Sequence, residues 1–151
     1  MLYKNLGPLE RSRMRDSVSM DLFASDVLVI DDDVDVRRAI SRTLGSAGYM
    51  VTAAHNGEVA LGMLDRHPFS VIVSDIRMPG MNGLQFYEQL KTDHPALAHR
   101  VLFVTGYLGD DDVSAFIDRT GRPVLGKPFE TEELVNMVRR LVQAAKSPPG
   151  N

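Results

Sequence analysis

The sequence predicts an α/β fold, a doubly wound five-stranded parallel sheet flanked by five helices. Three observations lead there. Short apolar runs alternate five times with segments of helical period. The runs are almost continuously apolar, as strands buried on both faces are. The chain has 151 residues, 44% hydrophobic and 25% charged, the length and composition of one domain with a core of its own.

Each element has a local cause. VLVI (27–30) is rich in β-branched residues and stops at three aspartates. Val36, Ile40, Leu44 and Ala47 then fall at helical spacing, with Gly45 and Gly48 to end the helix and Asp33 and Asp35 suited to its positive N-terminus. YMVTAA (49–54) reads as a strand, followed by a helix with Val59, Ala60, Met63 and Leu64 on one side. FSVIVS (69–74) is a buried strand ending at Asp75. A PGMNG turn leads to a helix marked by Leu84, Tyr87 and Leu90. VLFV (101–104) is a strand ending at Thr105, and Asp110, Asp111 and Asp112 open a helix carrying Val113, Phe116 and Ile117. PVLG (123–126) is a brief strand ending at Lys127. Thr131, Glu132 and Glu133 open the last helix, which carries Leu134, Val135, Val138, Leu141 and Val142.

The ends differ from this middle. Residues 1–25 hold Arg11, Arg13 and Arg15 among acids and serines without sustained period, and read as a flexible arm. KSPPGN reads as a linker, because paired prolines cannot continue a helix. The domain is therefore expected over 26–145, with 146–151 as a flexible tail and no output domain following it. The formal net charge of −3 argues against nucleic-acid binding through phosphate neutralisation. No apolar stretch approaches the ~20 residues that cross a bilayer, and no secretory signal opens the chain, so the expectation is a cytoplasmic protein with no membrane partner.

In open parallel sheets ligands bind beyond the carboxyl ends of the strands. Here those ends carry Asp31 and Asp32, Asp75, Thr105 and Lys127. Each alone has a structural reading as a cap or a surface charge. Together they form one rim. Two carboxylates ~4 Å apart repel by about 4 kcal/mol at an effective dielectric of 20, so such a cluster calls for a cation. Oxygen donors favour Mg²⁺. The absence of cysteine, and four scattered histidines (His55, His67, His94 and His99), give zinc or iron little support. A divalent ion, a carboxylate, a lysine and a hydroxyl are equipment for handling a phosphoryl group.

VLVIDDD (27–33), VIVSDIRMPGMNG (71–83), VLFVTGY (101–107) and GKPF (126–129) together resemble the receiver domain of two-component response regulators. The intervals of 43 residues from Asp32 to Asp75, 30 to Thr105 and 22 to Lys127 make the set specific. The resemblance implies strand order 2-1-3-4-5 and Asp75 as phosphoacceptor. It implies Mg²⁺ held by Asp31, Asp32, Asp75 and the carbonyl of Arg77, with Thr105 and Lys127 on the phosphoryl oxygens. It also implies a cis Lys127–Pro128 bond and a turn shaped by Pro79, Gly80 and Gly83. The implied partners are a sensor histidine kinase or histidine phosphotransfer protein and a downstream protein target. Many receivers carry an aromatic switch residue three positions before the lysine, where this chain has Val124, so Gly106 and Tyr107 are the candidates for readout.

Three other readings compete. Asp31-Asp32-Asp33 fits the Asp-x-Asp of a haloacid-dehalogenase-type phosphohydrolase, but no later acidic pair completes that family's pattern. A pseudo-receiver would keep the fold for protein binding alone. The chain could also be a receiver excised from a hybrid histidine kinase.

Overall fold

The computed structural model describes residues 26–146; the N-terminal arm with Arg11, Arg13 and Arg15, and residues 147–151, lie outside the described residues. Five strands, β1 (Asp26–Ile30), β2 (Met50–Ala54), β3 (Val71–Asp75), β4 (Val101–Thr105) and β5 (Val124–Gly126), form one sheet in the order β2-β1-β3-β4-β5. All pairings are parallel. Five α-helices alternate with them: α1 (Val34–Ser46), α2 (Gly57–Leu64), α3 (Gly83–Asp93), α4 (Asp111–Thr120) and α5 (Thr131–Lys146). A 3-10 turn, Leu97–Arg100, precedes β4, and nothing in the hydrophobic pattern signals it.

Strand alternation divides the core in two. Leu28, Ile30, Ile72, Val101 and Phe103 face α2, α3 and α4, where they meet Ala60, Leu64, Phe86, Leu90, Val113 and Phe116. Val27, Val29, Val71, Val73, Leu102 and Val104 face the other way, against Ile40 and Leu44 of α1 and Leu134, Val138 and Leu141 of α5. A fully buried side chain of this kind contributes roughly 1.5–3 kcal/mol. The expectation that every strand is buried on both faces fails at β2. As an edge strand it pairs on one side only, and Met50, Thr52 and Ala53 face solvent.

Side chains at the rim start three of the helices. Asp33 Oδ1 accepts from the amides of Asp35 and Val36, at 2.9 and 3.3 Å, and caps α1. Asn56 caps α2 through the Val59 amide at 2.8 Å. Asn82 and Gln85 form a reciprocal capping box at α3. Each cap satisfies amides that the helix leaves without a partner, for about 1 kcal/mol apiece. The last helix runs to Lys146, one residue beyond the boundary expected from sequence.

The chain reverses winding direction between β1 and β3, which opens a crevice beyond their carboxyl ends. The turn that closes β3 onto α3 has Gly80 at φ +73° and the Gly83 amide donating to the Ile76 carbonyl at 2.8 Å. Gly83 is required for its missing side chain. An added Cβ would lie 2.6 Å from the Asp75 carbonyl oxygen and 2.7 Å from Ile76 Cα, both backbone atoms that cannot yield. At Gly126 the one close approach would be to Leu108 Cδ1, at 2.5 Å, the end of an exposed and flexible side chain, with the Thr105 carbonyl oxygen at 4.0 Å. Gly83→Ala is therefore expected to destabilise by about 2 kcal/mol or more, lowering Tm by roughly 6 °C, whereas Gly126→Ala costs a small fraction of that. Thermal denaturation of the two variants side by side checks the contrast; equal losses would show that the turn adapts.

Candidate functional site

Register brings the rim residues together. Ile30 of β1 lies beside Ser74 of β3, so Asp31 and Asp75 follow on adjacent strands. Thr105 of β4 lies beside Gly126 of β5, and the Lys127 amide continues the ladder by donating to the Thr105 carbonyl at 2.8 Å. Lys127–Pro128 is cis, as expected.

The carboxylates of Asp31, Asp32 and Asp75 lie within 4.8 Å of one another. Asp31 is 1% exposed and Asp75 7%, while Asp32 stands at the surface. Lys127 Nζ bridges the buried pair, 3.0 Å from Asp31 Oδ2 and 3.2 Å from Asp75 Oδ2. The other Asp75 oxygen, Oδ1, accepts from the amides of Ile76 at 2.7 Å and Arg77 at 3.3 Å. Asp31 Oδ1 accepts from the Asp33 amide at 2.9 Å, and the Asp31 carbonyl accepts from Arg37 Nη1 at 2.7 Å. Among the described residues no hydrogen bond or ion pair engages the Asp32 carboxylate.

Burial is the main reason the Asp75 carboxyl is held above its ordinary 3.8; Lys127 pulls it down, and Asp31 pushes it up again. Burial acts against the charge on Lys127, but Asp31 and Asp75 outweigh it and raise its pKa above the ordinary 10.5. An anion that burial and a like-charged neighbour both disfavour has strong electrostatic reason to accept a cation. Three oxygen donors with no histidine or cysteine among them fit a hard divalent ion such as Mg²⁺.

Thr105 is fully buried, and its Oγ1 accepts from the Tyr107 amide at 3.1 Å. Tyr107 itself is half exposed. The side chain of Arg77 turns outward. Its guanidinium meets Asp110 Oδ2 at 2.5 Å and Asp112 Oδ1 at 2.9 Å and lies 5.1 Å from the centre of the Tyr107 ring. Val124 is half-buried and packs against the core half that contains Tyr87, Phe103 and Phe116. Sequence reasoning missed the Arg37 and Arg77 contacts with this rim. Arg77 is 33 and 35 residues from its acidic partners, so no local pattern announces the pairing.

A doubly wound parallel sheet that gathers three carboxylates and a lysine at the carboxyl ends of its strands defines a class of α/β domains with an acidic rim pocket, and comparison with known proteins identifies the family. The model for the response regulator receiver domain matches residues 27–139, and the chain belongs to that family, the receiver domains of two-component systems. It is 35% identical to the response regulator receiver protein CpdR of Brucella abortus over 122 residues, a match covering 79% of this chain and 98% of CpdR. It is 37% identical to the response regulator protein FleR of Pseudomonas aeruginosa, covering 78% of this chain and 24% of FleR. The match to the DNA-binding transcriptional regulator NtrC of Salmonella typhimurium likewise covers 24% of that protein, so the chain spans about a quarter of these longer relatives. Among solved structures, the chemotaxis protein CheY4 of Vibrio cholerae superposes with a TM-score of 0.70 at 30% identity, over 78% of this chain and 98% of CheY4.

The raised pKa of Asp75 has a consequence for stability. The folded state holds that proton more tightly than the unfolded state, so stability falls as pH rises from 3.8 to the folded-state pKa. Replacing the carboxyl with an amide removes the penalty. At pH 7, without divalent ions, Asp75→Asn is expected to melt higher than wild type, and the gap should close as pH is lowered toward 4. A lower Tm for the variant at pH 7 would mean that the lost Lys127 pairing dominates.

Proposed function

We propose that this receiver accepts a phosphoryl group on Asp75 and signals through protein–protein contacts that depend on it. The observation that carries the reading is the Asp75 carboxylate itself, fixed through Oδ1 by two amides and held through Oδ2 by Lys127 beside a second buried aspartate. The donor is a phosphohistidine of a sensor histidine kinase or histidine phosphotransfer protein. An Asp75 oxygen forms the new bond to phosphorus, the phosphorus–nitrogen bond breaks, and the imidazole leaves with the electron pair and takes up a proton. Asp31, Asp32 and Asp75, with the Arg77 carbonyl, are the residues that hold Mg²⁺, which supplies positive charge against the phosphoryl oxygens. Lys127 releases its grip on Asp75 Oδ2 to pair with those oxygens, and Thr105 donates its hydroxyl to one of them.

The domain proper is the stretch 26–145. No helix among the described residues is long and apolar enough to cross a membrane. With a net charge of −3, that suits a cytoplasmic domain whose partners are proteins rather than nucleic acid. The near-complete coverage of CpdR supports signalling by a receiver alone, while the match to a quarter of FleR and NtrC supports service as one part of a longer protein. Readout is assigned to Tyr107 and its loop, since Val124 has no ring to rotate. The phosphohydrolase reading loses its second aspartate, because Asp33 Oδ1 is engaged in capping α1.

Intact mass after incubation with acetyl phosphate tests the proposal. The expected result is one adduct that needs Mg²⁺, is cleaved by hydroxylamine and is missing from Asp75→Asn. No adduct on the wild type would reduce the chain to a protein-binding receiver. A companion measurement addresses the metal. Mg²⁺ at 100 times its Kd should stabilise wild type by about 2.7 kcal/mol, and most of that gain should disappear in Asp32→Asn at the same concentration. An undiminished Tm increase in Asp32→Asn would remove Asp32 from the ligand set.

A further inference from the structure

Asp110 stands at the N-cap of α4 with extended backbone, the position where an aspartate accepts a hydrogen bond from the second or third helical amide. It makes no such bond. Asp33, Asn56 and Asn82 all cap their helices on the same rim. The difference is Arg77, whose guanidinium takes the Asp110 carboxylate at 2.5 Å and Asp112 at 2.9 Å. Asp110 therefore has two competing partners, the Arg77 side chain and the amides of its own helix.

Arg77 also has two possible partners. It is two residues from Asp75 in sequence, and its amide already donates to Asp75 Oδ1. All three side chains of the present ion-pair group are substantially exposed, at 40% for Arg77, 45% for Asp110 and 57% for Asp112, and exposed pairs of this kind are weak. A phosphoryl group on Asp75 adds close to two negative charges and oxygens that match a guanidinium's paired donors. The loop from Thr105 to Asp110 is also held by neutral hydrogen bonds. The Tyr107 amide donates to Thr105 Oγ1, and the Asp110 amide donates to the Tyr107 carbonyl at 3.0 Å.

We propose that Arg77 is a phosphoryl-contacting cation held back by Asp110 and Asp112, and that phosphorylation exchanges its partners. The guanidinium leaves the acidic pair for the phosphoryl oxygens, and Asp110 turns to cap α4. The two ion-paired aspartates are positioning residues, and the first turn of α4 becomes the element that reports the state of Asp75. This rests on the reading of Asp75 as phosphoacceptor.

Amide hydrogen exchange at Val113, the third residue of α4, separates the two arrangements. Phosphorylation of wild type by acetyl phosphate and Mg²⁺, verified by intact mass, should slow that amide about fivefold, the factor expected of a typical cap. Arg77→Ala should show the slow rate with no phosphoryl group. Asp110→Asn, which can cap but lacks the charge that holds Arg77, should do the same. Asp110→Ala should exchange fast in both states. An unchanged rate in phosphorylated wild type, or wild-type exchange in unphosphorylated Arg77→Ala, would overturn the exchange of partners. Absence of any adduct on wild type would overturn the phosphoacceptor reading and the recruitment of Arg77 with it. The Arg77→Ala arm needs no phosphoryl group and still decides which partner Asp110 prefers.

Discussion

Three carboxylates within 4.8 Å of one another, two of them buried at the end of a hydrophobic sheet, require a counter-charge, and in this protein the ammonium of Lys127 supplies it. The bridge spans the fold. Asp31 follows β1, Asp75 ends β3, and Lys127 follows β5, so one nitrogen meets partners 96 and 52 positions before it in the chain. In the order β2-β1-β3-β4-β5, β1 and β3 are neighbours, and the lysine after β5 reaches past the end of β4 to both. The compensation is incomplete, because Asp75 still titrates above its ordinary value. Burial of two carboxylates side by side, with a third at the surface, leaves the pocket receptive to a divalent ion.

The rest of the rim keeps backbone close to this centre. Gly83 lets α3 begin against the Asp75 and Ile76 main chain, where any side chain would push the two apart. The Asp75 Oδ1 oxygen is fixed by amides of the same turn, so turn and carboxylate hold one another in position. Arg37 on α1 grips the Asp31 carbonyl, which ties the first helix to the same point. Glycine is needed here for closeness, while polar side chains at the neighbouring caps satisfy the helix amides.

Much of this was legible in the sequence because it depends on alternation and on strand ends. Runs such as VLVI and VLFV, short, β-branched and alternating with helical segments, read as buried strands, and the residue following each then emerges on one rim. That reasoning found Asp31, Asp75, Thr105 and Lys127 from position alone. It gave the wrong environment for β2, because an edge strand and a central strand can share a hydrophobic run while differing in what covers them. It also read Asp110, Asp111 and Asp112 only as charges suited to a helix N-terminus. Which aspartate would be diverted to Arg77 depends on how the loop after β4 folds over β3, and no local period encodes that.

The replacement of an aromatic residue by Val124 acquires a physical meaning from its surroundings. Tyr87, Phe103 and Phe116 pack edge to face, with ring centroids 5.1–5.8 Å apart, and Val124 closes against the core they belong to. A β-branched side chain has few rotamers and no long axis to swing, so it cannot carry a large displacement between two states. The loop after β4 is better connected. It holds Thr105 Oγ1 through the Tyr107 amide, reaches Arg77 through Asp110, and lays Leu108 over Gly126, next to Lys127. Ser114 of α4 donates back to the Leu108 carbonyl at 3.1 Å, which ties the loop to its helix. Thr105, Arg77 and the strand end before Lys127 thus all touch the same five residues, 106–110, through backbone, charge and one apolar contact, whereas Val124 offers no ring whose rotation could link them.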